Sequence, residues 1–590
     1  MLAAVVFIAL PARATIDYAI SLAHPERHIF DVTMHVPSVR DQVTLQMPVW
    51  NAVYQIRDFS SHMMQLSARD DAGKPLPIMK LDKQTWRVAG NGNVTVSYPI
   101  YWDEPSPFGT QLDSDHAFLN LAMVLLYVPD RRREDTRVAF EDVPGNWRTA
   151  VELDPAAATS GSRTGGYVAS SYDALVDAPV EISQFDEFRI EAGGRPIRIV
   201  VHGDAGDRTR LADALKRIVD YEVSLMGDAP FREYMFLFHV GRDFGGGGME
   251  HSNSTAIAAD YPSQLPSYSA HEFFHAWNVK RIRPQSLEPV DYTREMWTRS
   301  LWFAEGVTNT YGAYTLVRTG LWSPQEFYGN LAAQINELES RPAHRWQSVE
   351  QSSLDAWYEK YPLYNRPEES VSYYTKGQIV GVMLDILIRD TTGNGASLDD
   401  VMRALNVEYA QRGRFYNEGE DLRAVAENLI RKSSPAADAD LGDFFRRYVS
   451  GTDEIPFPDF LGRAGLAIRD AGQRRAAFGF TINREGGGPA TVASVEMDSE
   501  AQQAGLKNGD VLIALDGEAV PRSPERWLRD HQPGEHITVK VRRSGQEMDF
   551  SVALGRQTDA IYQITEISEP TEKQRRIRNG ILHGATDPSR

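Results

Sequence analysis

The spacing of hydrophobic residues changes along the chain and divides it into three parts. Before about residue 170, apolar and polar positions alternate, as at 17–22 and 28–34, which is typical of half-buried strands. Farther along, apolar residues recur at helical spacing, as at 208–225, although Glu222 falls on the apolar face of that helix. Short alternating runs return between residues 478 and 554. The pattern predicts a multidomain α+β protein with a β-sandwich-like N-terminal domain, a mixed α/β and α-helical middle and a small β module.

The two ends of the chain differ in character. Residues 1–10 are almost wholly apolar, and Ala12-Arg13-Ala14 has the small-x-small form of a signal-peptidase site. This predicts a signal peptide at 1–14 and a periplasmic or secreted bacterial protein, with a buried strand as the alternative. No later apolar run approaches the length that spans a bilayer. Residues 557–590 form a polar tail.

Composition narrows the function classes. The 590 residues are enough for several domains, and the formal net charge is −19, from 81 acidic and 62 basic residues. An acidic balance argues against nucleic acid as a partner. The chain has no cysteine, which excludes cysteine-ligated zinc, thiol catalysis and disulfides. That composition is compatible with an oxidising compartment such as the periplasm.

A short motif carries the strongest chemical signal. The HExxH sequence at 271–275 places His271 and His275 four residues apart, so on a helix both imidazoles point to one side. Together they can bind one zinc ion, and Glu272 can take a proton from the attacking water. A loop-like stretch precedes the motif, and Ser267 or Ser269 can cap a helix. The sequence therefore predicts a zinc-binding helix that begins near one of these serines.

A catalytic zinc ion held by two histidines needs a third protein ligand and one open position. Glu305 is the best candidate, because it is a lone carboxylate within the apolar run at 301–309. A buried, unpaired carboxylate is costly, and a metal partner removes that cost. An exposed helix glutamate and a buried ion pair are the alternatives. We expect one zinc ion per chain, bound by His271, His275 and Glu305.

Four consecutive glycines at 245–248 follow a predicted strand at 234–240. Because such a run costs backbone entropy, we do not expect it inside a regular element. A flexible surface turn is one interpretation. The other is an active-site wall, in which Gly247, Gly248 and Met249 offer backbone groups to an extended peptide. Glu250, which follows, could bind a cation.

A pair of tyrosines, Tyr373 and Tyr374, comes just before a predicted buried helix at 377–390. A phenol near a polarised carbonyl can donate a hydrogen bond to a developing oxyanion. Most such tyrosines only pack, and the residues alone leave both possibilities open.

Together these motifs resemble the glycyl aminopeptidase family of zinc metallopeptidases, with a PDZ domain near the C-terminus. The resemblance covers most of the chain. It rests on YQIRDFS at 54–60, GGGMEH at 246–251, HEFFH at 271–275, WFAEG at 302–306, FGF at 478–480 and AGLKNGD at 504–510.

The resemblance implies a division into five segments. They are a signal peptide at 1–14, an N-terminal β-rich domain at 15–170, a thermolysin-like catalytic domain at 171–455, a PDZ domain at 476–556 and the tail at 557–590. It also implies that His271, His275 and Glu305 bind zinc and that Glu272 is the base and proton shuttle.

The chain is also similar to the broader gluzincin aminopeptidases, in which a Gly-x-Met-Glu stretch holds the substrate α-amine. Glu250 matches that glutamate. Tyr374 matches the tyrosine that lies two residues before Lys-Gly in those enzymes and stabilises the oxyanion. Two departures are visible: His251 follows Met-Glu where asparagine is usual, and Glu305 lies farther from the zinc helix than their third ligand.

The resulting prediction is a zinc aminopeptidase that hydrolyses the N-terminal peptide bond of peptides and prefers glycine or alanine as the first residue. Its partners would be peptides with a free N-terminus and a peptide or protein C-terminus at the PDZ domain. A zinc endopeptidase is one alternative. Another is a periplasmic adaptor without enzymatic activity that binds peptides by β-augmentation.

Overall fold

The computed structural model describes residues 15–51, 54–156, 166–359, 366–472, 474–484, 488–521, 524–558 and 561–586. The predicted signal peptide at 1–14 lies outside the described residues. The chain forms two compact units, of which the second comprises residues 331–340 and 467–565 and the first comprises the rest. Every helix that the structure describes is too short or too polar to span a membrane.

The N-terminal part of the first unit is built from strands. They are β1 Ile16–His24, β2 Ile29–Val39, β3 Gln42–Gln46, β4 Ser67–Asp70, β5 Ile78–Lys80, β6 Thr85–Ala89, β7 Gly92–Tyr101, β8 Gln111–Leu112, β9 His116–Leu119, β10 Thr136–Glu141, β11 Arg148–Ala150, β12 Asp154–Pro155, β13 Tyr167–Ala169 and β14 Val180–Ser183, with one short helix, α1 Tyr172–Val176.

These strands form three sheets. The order is β12-β13-β10-β1-β2-β7-β4 in the first, β11-β14-β9-β8 in the second and β3-β6-β5 in the third. Alternation of buried and exposed residues along β1 and β2 confirms the predicted half-buried strands. Their inward side chains form one apolar core, in which Phe30 and Val36 are fully buried.

A five-stranded sheet opens the second part of the first unit. Its strands are β15 Asp186–Ala192, β16 Arg195–Gly203, β17 Tyr234–Val240, β18 Gly247–Glu250 and β19 Ser254–Ala259. Their order is β15-β16-β17-β19-β18, with β16, β17 and β19 parallel and the two edge strands antiparallel. Every residue of β17 is buried, as expected for a central strand covered on both faces.

The chain between residues 208 and 463 also forms helices. They are α2 Arg208–Met226, α3 Leu265–Phe274, α4 Thr308–Arg318, α5 Pro324–Glu339, α6 Val349–Leu354, α7 Ala356–Glu359, α8 Tyr373–Thr391, α9 Leu398–Glu408, α10 Glu418–Ser433, α11 Gly442–Phe444 and α12 Phe457–Arg463. The helix predicted at 208–225 is confirmed, and Glu222 does lie on its buried face, where it accepts a hydrogen bond from Thr315 Oγ1 at 2.8 Å. A π-helical turn, Trp302–Val307, directly precedes α4.

The second unit is a small β module. Its strands are β20 Leu466–Asp470, β21 Arg474–Ala477, β22 Phe480–Asn483, β23 Thr491–Val495, β24 Val511–Leu515, β25 Glu518–Ala519, β26 His536–Arg543, β27 Gln546–Ala553, β28 Gly555–Thr558 and β29 Tyr562–Glu566, with helices α13 Glu500–Ala504 and α14 Pro524–Leu528. It has its own apolar core, which includes Phe478 and Val539. A last helix, α15 Glu572–His583, returns to the first unit. The predicted multidomain α+β fold class is confirmed.

Candidate metal centre

The two predicted histidine ligands lie at the end of α3. His271 is in its last turn, and His275 is the residue that ends it. This helix begins at Leu265, so the predicted start at Ser267 or Ser269 was two to four residues late. The cause is that Pro266 fits the first turn of a helix, which no serine is needed to open.

The side chains of this pair face each other. Their Nε2 atoms are 3.0 Å apart. The Nδ1–H of His275 donates to the backbone oxygen of Asn278 at 2.6 Å, which leaves the lone pair of this imidazole on Nε2. Two ring nitrogens at this distance either share a proton in a hydrogen bond or lie beside the same cation.

Glu305 completes the group. It lies in the π-helical turn, is 4% exposed, and places Oε2 3.6 Å from His271 Nε2 and 3.3 Å from His275 Nε2. In a tetrahedral zinc site with bonds of about 2.0–2.1 Å, neighbouring donor atoms are roughly 3.3 Å apart. The three donors therefore form one face of such a tetrahedron, and the residues fit a zinc ion.

The electrostatics of the centre favour a cation. Burial raises the pKa of the Glu305 carboxyl, but the imidazoles of His275 and His271 outweigh burial and hold that pKa well below its usual range. Burial lowers the pKa of His275, and the charge of Glu305 raises it more, to about 10. A divalent cation would supply the same positive charge and displace that proton.

A contact between two glycines places the Glu305 turn against α8. A Cβ built on Gly306 would lie 2.5 Å from the Cα of Gly377, and one on Gly377 would lie 2.5 Å from the backbone oxygen of Trp302. Only glycine allows the two backbones to approach this closely. The contact brings the first turn of α8 close to the carboxylate ligand.

Glu272 lies between the metal centre and β18. It is 5% exposed, and its carboxyl carbon lies 2.4 Å from the position that a Cβ on Gly248 would occupy. Donor atoms of Glu272, Glu250 and His275 lie within 4.8 Å of one another. The base candidate thus borders both the zinc ligands and the end of β18.

The glycine run differs from the expectation in one respect. Gly247 and Gly248 belong to β18, so the expectation that the run would avoid regular elements was wrong for these two residues. The packing explains this, since a strand passing over Glu272 leaves no room for a side chain at Gly248. Among the described strands β18 pairs only with β19, so its outer edge is open to an extended peptide.

Tyr374 lies in the first turn of α8 rather than before the helix, because Ser372 caps the helix by accepting hydrogen bonds from the backbone N–H groups of Tyr374 and Thr375. Its ring centroid is 6.3 Å from that of His271, and it is half-buried. The structure therefore brings this phenol to the metal centre.

Tyr54 was quoted for the family resemblance but was not predicted as a site residue. It is buried, and burial raises its pKa well above the usual value, with further increases from the charges of Glu305 and Glu250. The tyrosine therefore borders both acids. Its position in a loop of the N-terminal part, far from the HExxH motif in the chain, gave no spacing that could reveal it.

A cavity of about 290 Å³ adjoins the centre at Glu250. Tyr54, Met249 and Arg283 line it together with Glu250. Glu250 ends the edge strand and is half-buried. A carboxylate in the wall of a partly apolar cavity can hold a cationic group beside the metal centre.

His251, the departure from the related aminopeptidases, faces Asp177. Its Nδ1 is 3.4 Å from Asp177 Oδ1, which also forms an ion pair with Lys280 at 2.7 Å. Asp177 Oδ2 accepts a hydrogen bond from the backbone N–H of Ser252 at 3.0 Å. This cluster holds the chain immediately after Glu250.

Comparison with known proteins agrees with this geometry. The M61 glycyl aminopeptidase family matches residues 264–380, the peptidase M61 N-terminal domain matches 17–184, and a PDZ domain matches 476–554. The crystal structure of an aminopeptidase N family protein from Idiomarina loihiensis has a similar fold. Its TM-score is 0.84 at 25% identity, over 96% of this chain and all of that one.

Curated relatives match a smaller region. A probable periplasmic serine endoprotease, DegP-like, from Hahella chejuensis is 34% identical over 96 residues, which is 16% of this chain and 20% of that protein. A Do-like serine protease HtrA from Lactobacillus helveticus is 35% identical over 65 residues, 11% of this chain and 16% of that protein. The chain therefore spans about a fifth of the length of the curated relatives it matches.

The fold, the family matches and the metal-binding geometry together define a metallopeptidase. Two parts of the chain match domains of the M61 glycyl aminopeptidase family, and a PDZ domain match follows them. The predicted resemblance and the predicted enzyme class are confirmed.

Proposed function

We propose that the protein is a zinc aminopeptidase that binds one catalytic zinc ion through His271, His275 and Glu305. It would remove small N-terminal residues, glycine or alanine, from peptides. The convergence of Glu250, Glu272 and His275, with donor atoms within 4.8 Å of one another, carries the proposal. An acid so close to the metal ligands leaves little room for a residue before the scissile bond, and it can pair with a free α-ammonium group.

Each nearby side chain has a defined task in this proposal. Zinc, when bound, acts as a Lewis acid toward the scissile carbonyl. Glu272 takes the proton of the attacking water and passes it to the leaving amine. The phenol of Tyr374 donates a hydrogen bond to the oxyanion.

The substrate backbone would lie along β18. The open edge at Gly247, Gly248 and Met249 offers backbone N–H and C=O groups to an extended chain, as a neighbouring strand would. Glu250, at the end of this edge, would then receive the substrate α-ammonium. The preference for glycine is supported by the description of the matching family.

Export and the PDZ partner belong to the same proposal. A periplasmic or secreted location is supported by the absence of cysteine and by the periplasmic location in the name of a partial relative. The PDZ domain would bind a peptide or protein C-terminus by strand addition.

The test is a screen of aminoacyl-anilides and of matched free and N-acetylated peptides. We expect cleavage of glycyl and alanyl substrates with a free amine. Glu272→Gln should lower kcat by about 10³-fold or more, with its zinc content unchanged. Glu250→Gln should selectively impair the substrates that carry a free amine.

Glu288→Gln is the matched control, because Glu288 lines the same cavity but pairs with Arg283 at 2.6 Å. It should leave the ratio of free to acetylated cleavage unchanged. Equal cleavage of free and acetylated peptides by the parent protein would indicate an endopeptidase instead. Turnover by Glu272→Gln at the parent rate would rule out the assigned base.

A further inference from the structure

A second group of histidines surrounds a buried carboxylate away from the metal centre. Glu181 is fully buried. Its Oε2 lies 3.0 Å from His239 Nε2, and its Oε1 lies 3.4 Å from His202 Nδ1 and 3.6 Å from His116 Nδ1. None of these residues belongs to a short sequence motif.

The four residues come from two sheets that face each other. His116 on β9 and Glu181 on β14 belong to the N-terminal part, and these two strands are paired. His202 on β16 and His239 on β17 are directly opposite each other in the parallel pair of the catalytic sheet. An apolar cluster fills the rest of this contact and consists of Phe118, Ala150, Phe185, Val200, Met235, Leu237 and Ala256.

The charge of Glu181 has an unusual set of partners. Within the described residues every ionic partner of this carboxylate is an imidazole. Burial raises the pKa of Glu181, but the three imidazoles outweigh it and hold that pKa well below the usual range. Each of these imidazoles can bind a metal ion in place of a proton.

The Nδ1 atom of His116 is directed toward the carboxylate of Glu181. The Nε2 atom of this ring lies 2.8 Å from the side-chain oxygen of Gln111, so Nε2–H donates there and Nδ1 faces Glu181. That Nδ1 is buried and has no hydrogen-bond partner among the described residues. Its 3.6 Å separation from Glu181 Oε1 is too long for a hydrogen bond but is close to the separation of two ligands on one zinc ion, roughly 3.3 Å.

Hydrogen bonds from neighbouring residues hold two of these side chains in place, as hydrogen bonds to metal ligands do in known sites. Ser183 Oγ donates to Glu181 Oε1 at 2.6 Å. The Gln111 contact holds the His116 ring in one tautomer, as the Asn278 carbonyl does for His275 in the metal centre.

We propose that His116, Glu181 and His239, whose donor atoms lie within 4.8 Å of one another, bind a second divalent cation. Imidazole nitrogen with a single carboxylate oxygen favours zinc. The ion would be structural, because all three of its ligands are buried and it would join the N-terminal sheet to the catalytic sheet.

Phe244 connects this site to the substrate edge. Its ring centroid lies 5.7 Å from that of His116, 5.5 Å from that of His202 and 5.2 Å from that of His239. The residue directly precedes the glycine run that leads into β18. An ion that fixes the rings of His116 and His239 would therefore also fix the start of the loop before Glu250.

The test is the zinc content of the full-length protein by mass spectrometry after gel filtration. We expect two equivalents in the parent and one in His275→Ala, which removes the active-site ligand. One equivalent is also expected in His239→Ala, and none in the double variant. His35→Ala, which removes a surface histidine on β2, should retain two equivalents.

Cobalt substitution in the His275→Ala background tests the same site in a protein whose inter-sheet contact is intact. We expect one equivalent of cobalt with the visible absorption of a histidine-rich tetrahedral site, and a melting temperature that falls when a chelator is added. A parent with a single zinc ion that disappears in His275→Ala, together with no cobalt spectrum in that variant, would overturn the second site. Activity is not part of the readout, so failure of the aminopeptidase proposal would be seen separately.

Discussion

The metal centre and the inter-sheet histidine cluster contain the same donor types in different surroundings. In the centre, His271 and His275 come from one helix end, and Glu272 and Glu250 lie beside them. In the cluster, the three donors come from three strands, and the neighbours are hydroxyl, amide and aromatic groups.

The difference in surroundings distinguishes a catalytic metal site from a structural one. A catalytic zinc site keeps one position open and has a base beside it, whereas a structural site is closed by protein donors. The centre has three donors and an adjoining cavity of about 290 Å³. The cluster has three candidate donors, all of them buried, between two packed sheets. Imidazole and carboxylate do not by themselves define a role; the groups around them do.

Tyr374→Phe tests whether the surroundings of the centre make it catalytic, and its expected effect on turnover is the largest after that of Glu272→Gln. Loss of the phenol hydroxyl should reduce kcat by about 10²–10³-fold, with little change in KM, because an oxyanion donor acts mainly in the transition state. Steady-state kinetics on an alanyl-anilide measure both constants.

Tyr373→Phe is the matched control, since that ring stacks on Tyr374 with centroids 4.7 Å apart. It should change stability but not kcat. Equal loss in both variants would mean that the hydroxyl only supports packing.

The two regions also differ in how far their residues could be predicted. The helix that carries His271 and His275 could be predicted, because residues four apart on a helix lie on the same face. Glu305 was visible because a lone carboxylate in an apolar run needs a partner. The cluster around Glu181 was not visible, since which strand faces which depends on packing between sheets. Tyr54 and the contact of Gly248 with Glu272 were missed for the same reason.

Gly248→Ala tests whether the backbone of β18 fixes the position of the candidate base Glu272. The added Cβ would lie 2.4 Å from the Glu272 carboxyl, so the base must move. A displacement of about 1 Å can cost roughly 10²-fold in rate, and we expect a loss of about that size in kcat/KM with zinc retained.

Gly246→Ala is the control for this variant. Its Cβ would meet only the Tyr268 hydroxyl, at 3.5 Å, and the residue is exposed. It should retain activity within about twofold of the parent. Full activity in Gly248→Ala would show that Glu272 occupies another position during turnover.

Glu152 is a largely buried carboxylate near the same pair of sheets, and among the described residues it has no imidazole partner. Glu152→Gln tests the effect of its charge on stability. Glu152 follows β11 and lies 3.8 Å from Arg198 on β16. Burial and the charge of Glu233 raise its pKa to about 7. The folded protein therefore binds a proton there that the unfolded chain releases near its ordinary pKa. This contribution to the free energy of unfolding is present at pH 4 and is lost as the pH rises to 7.

At pH 8 the ionised carboxylate should cost roughly 3 kcal/mol, which the amide avoids. We expect Glu152→Gln to raise the melting temperature at pH 8 and to leave it nearly unchanged at pH 4.5, measured by calorimetry. Glu187→Gln is the control, because Glu187 accepts a hydrogen bond from Arg198 Nε at 2.8 Å and its loss should bring no gain at pH 8. A gain of the same size at both pH values would show that Glu152 does not titrate between them. The contrast with Glu181 would then have to come from packing rather than from charge.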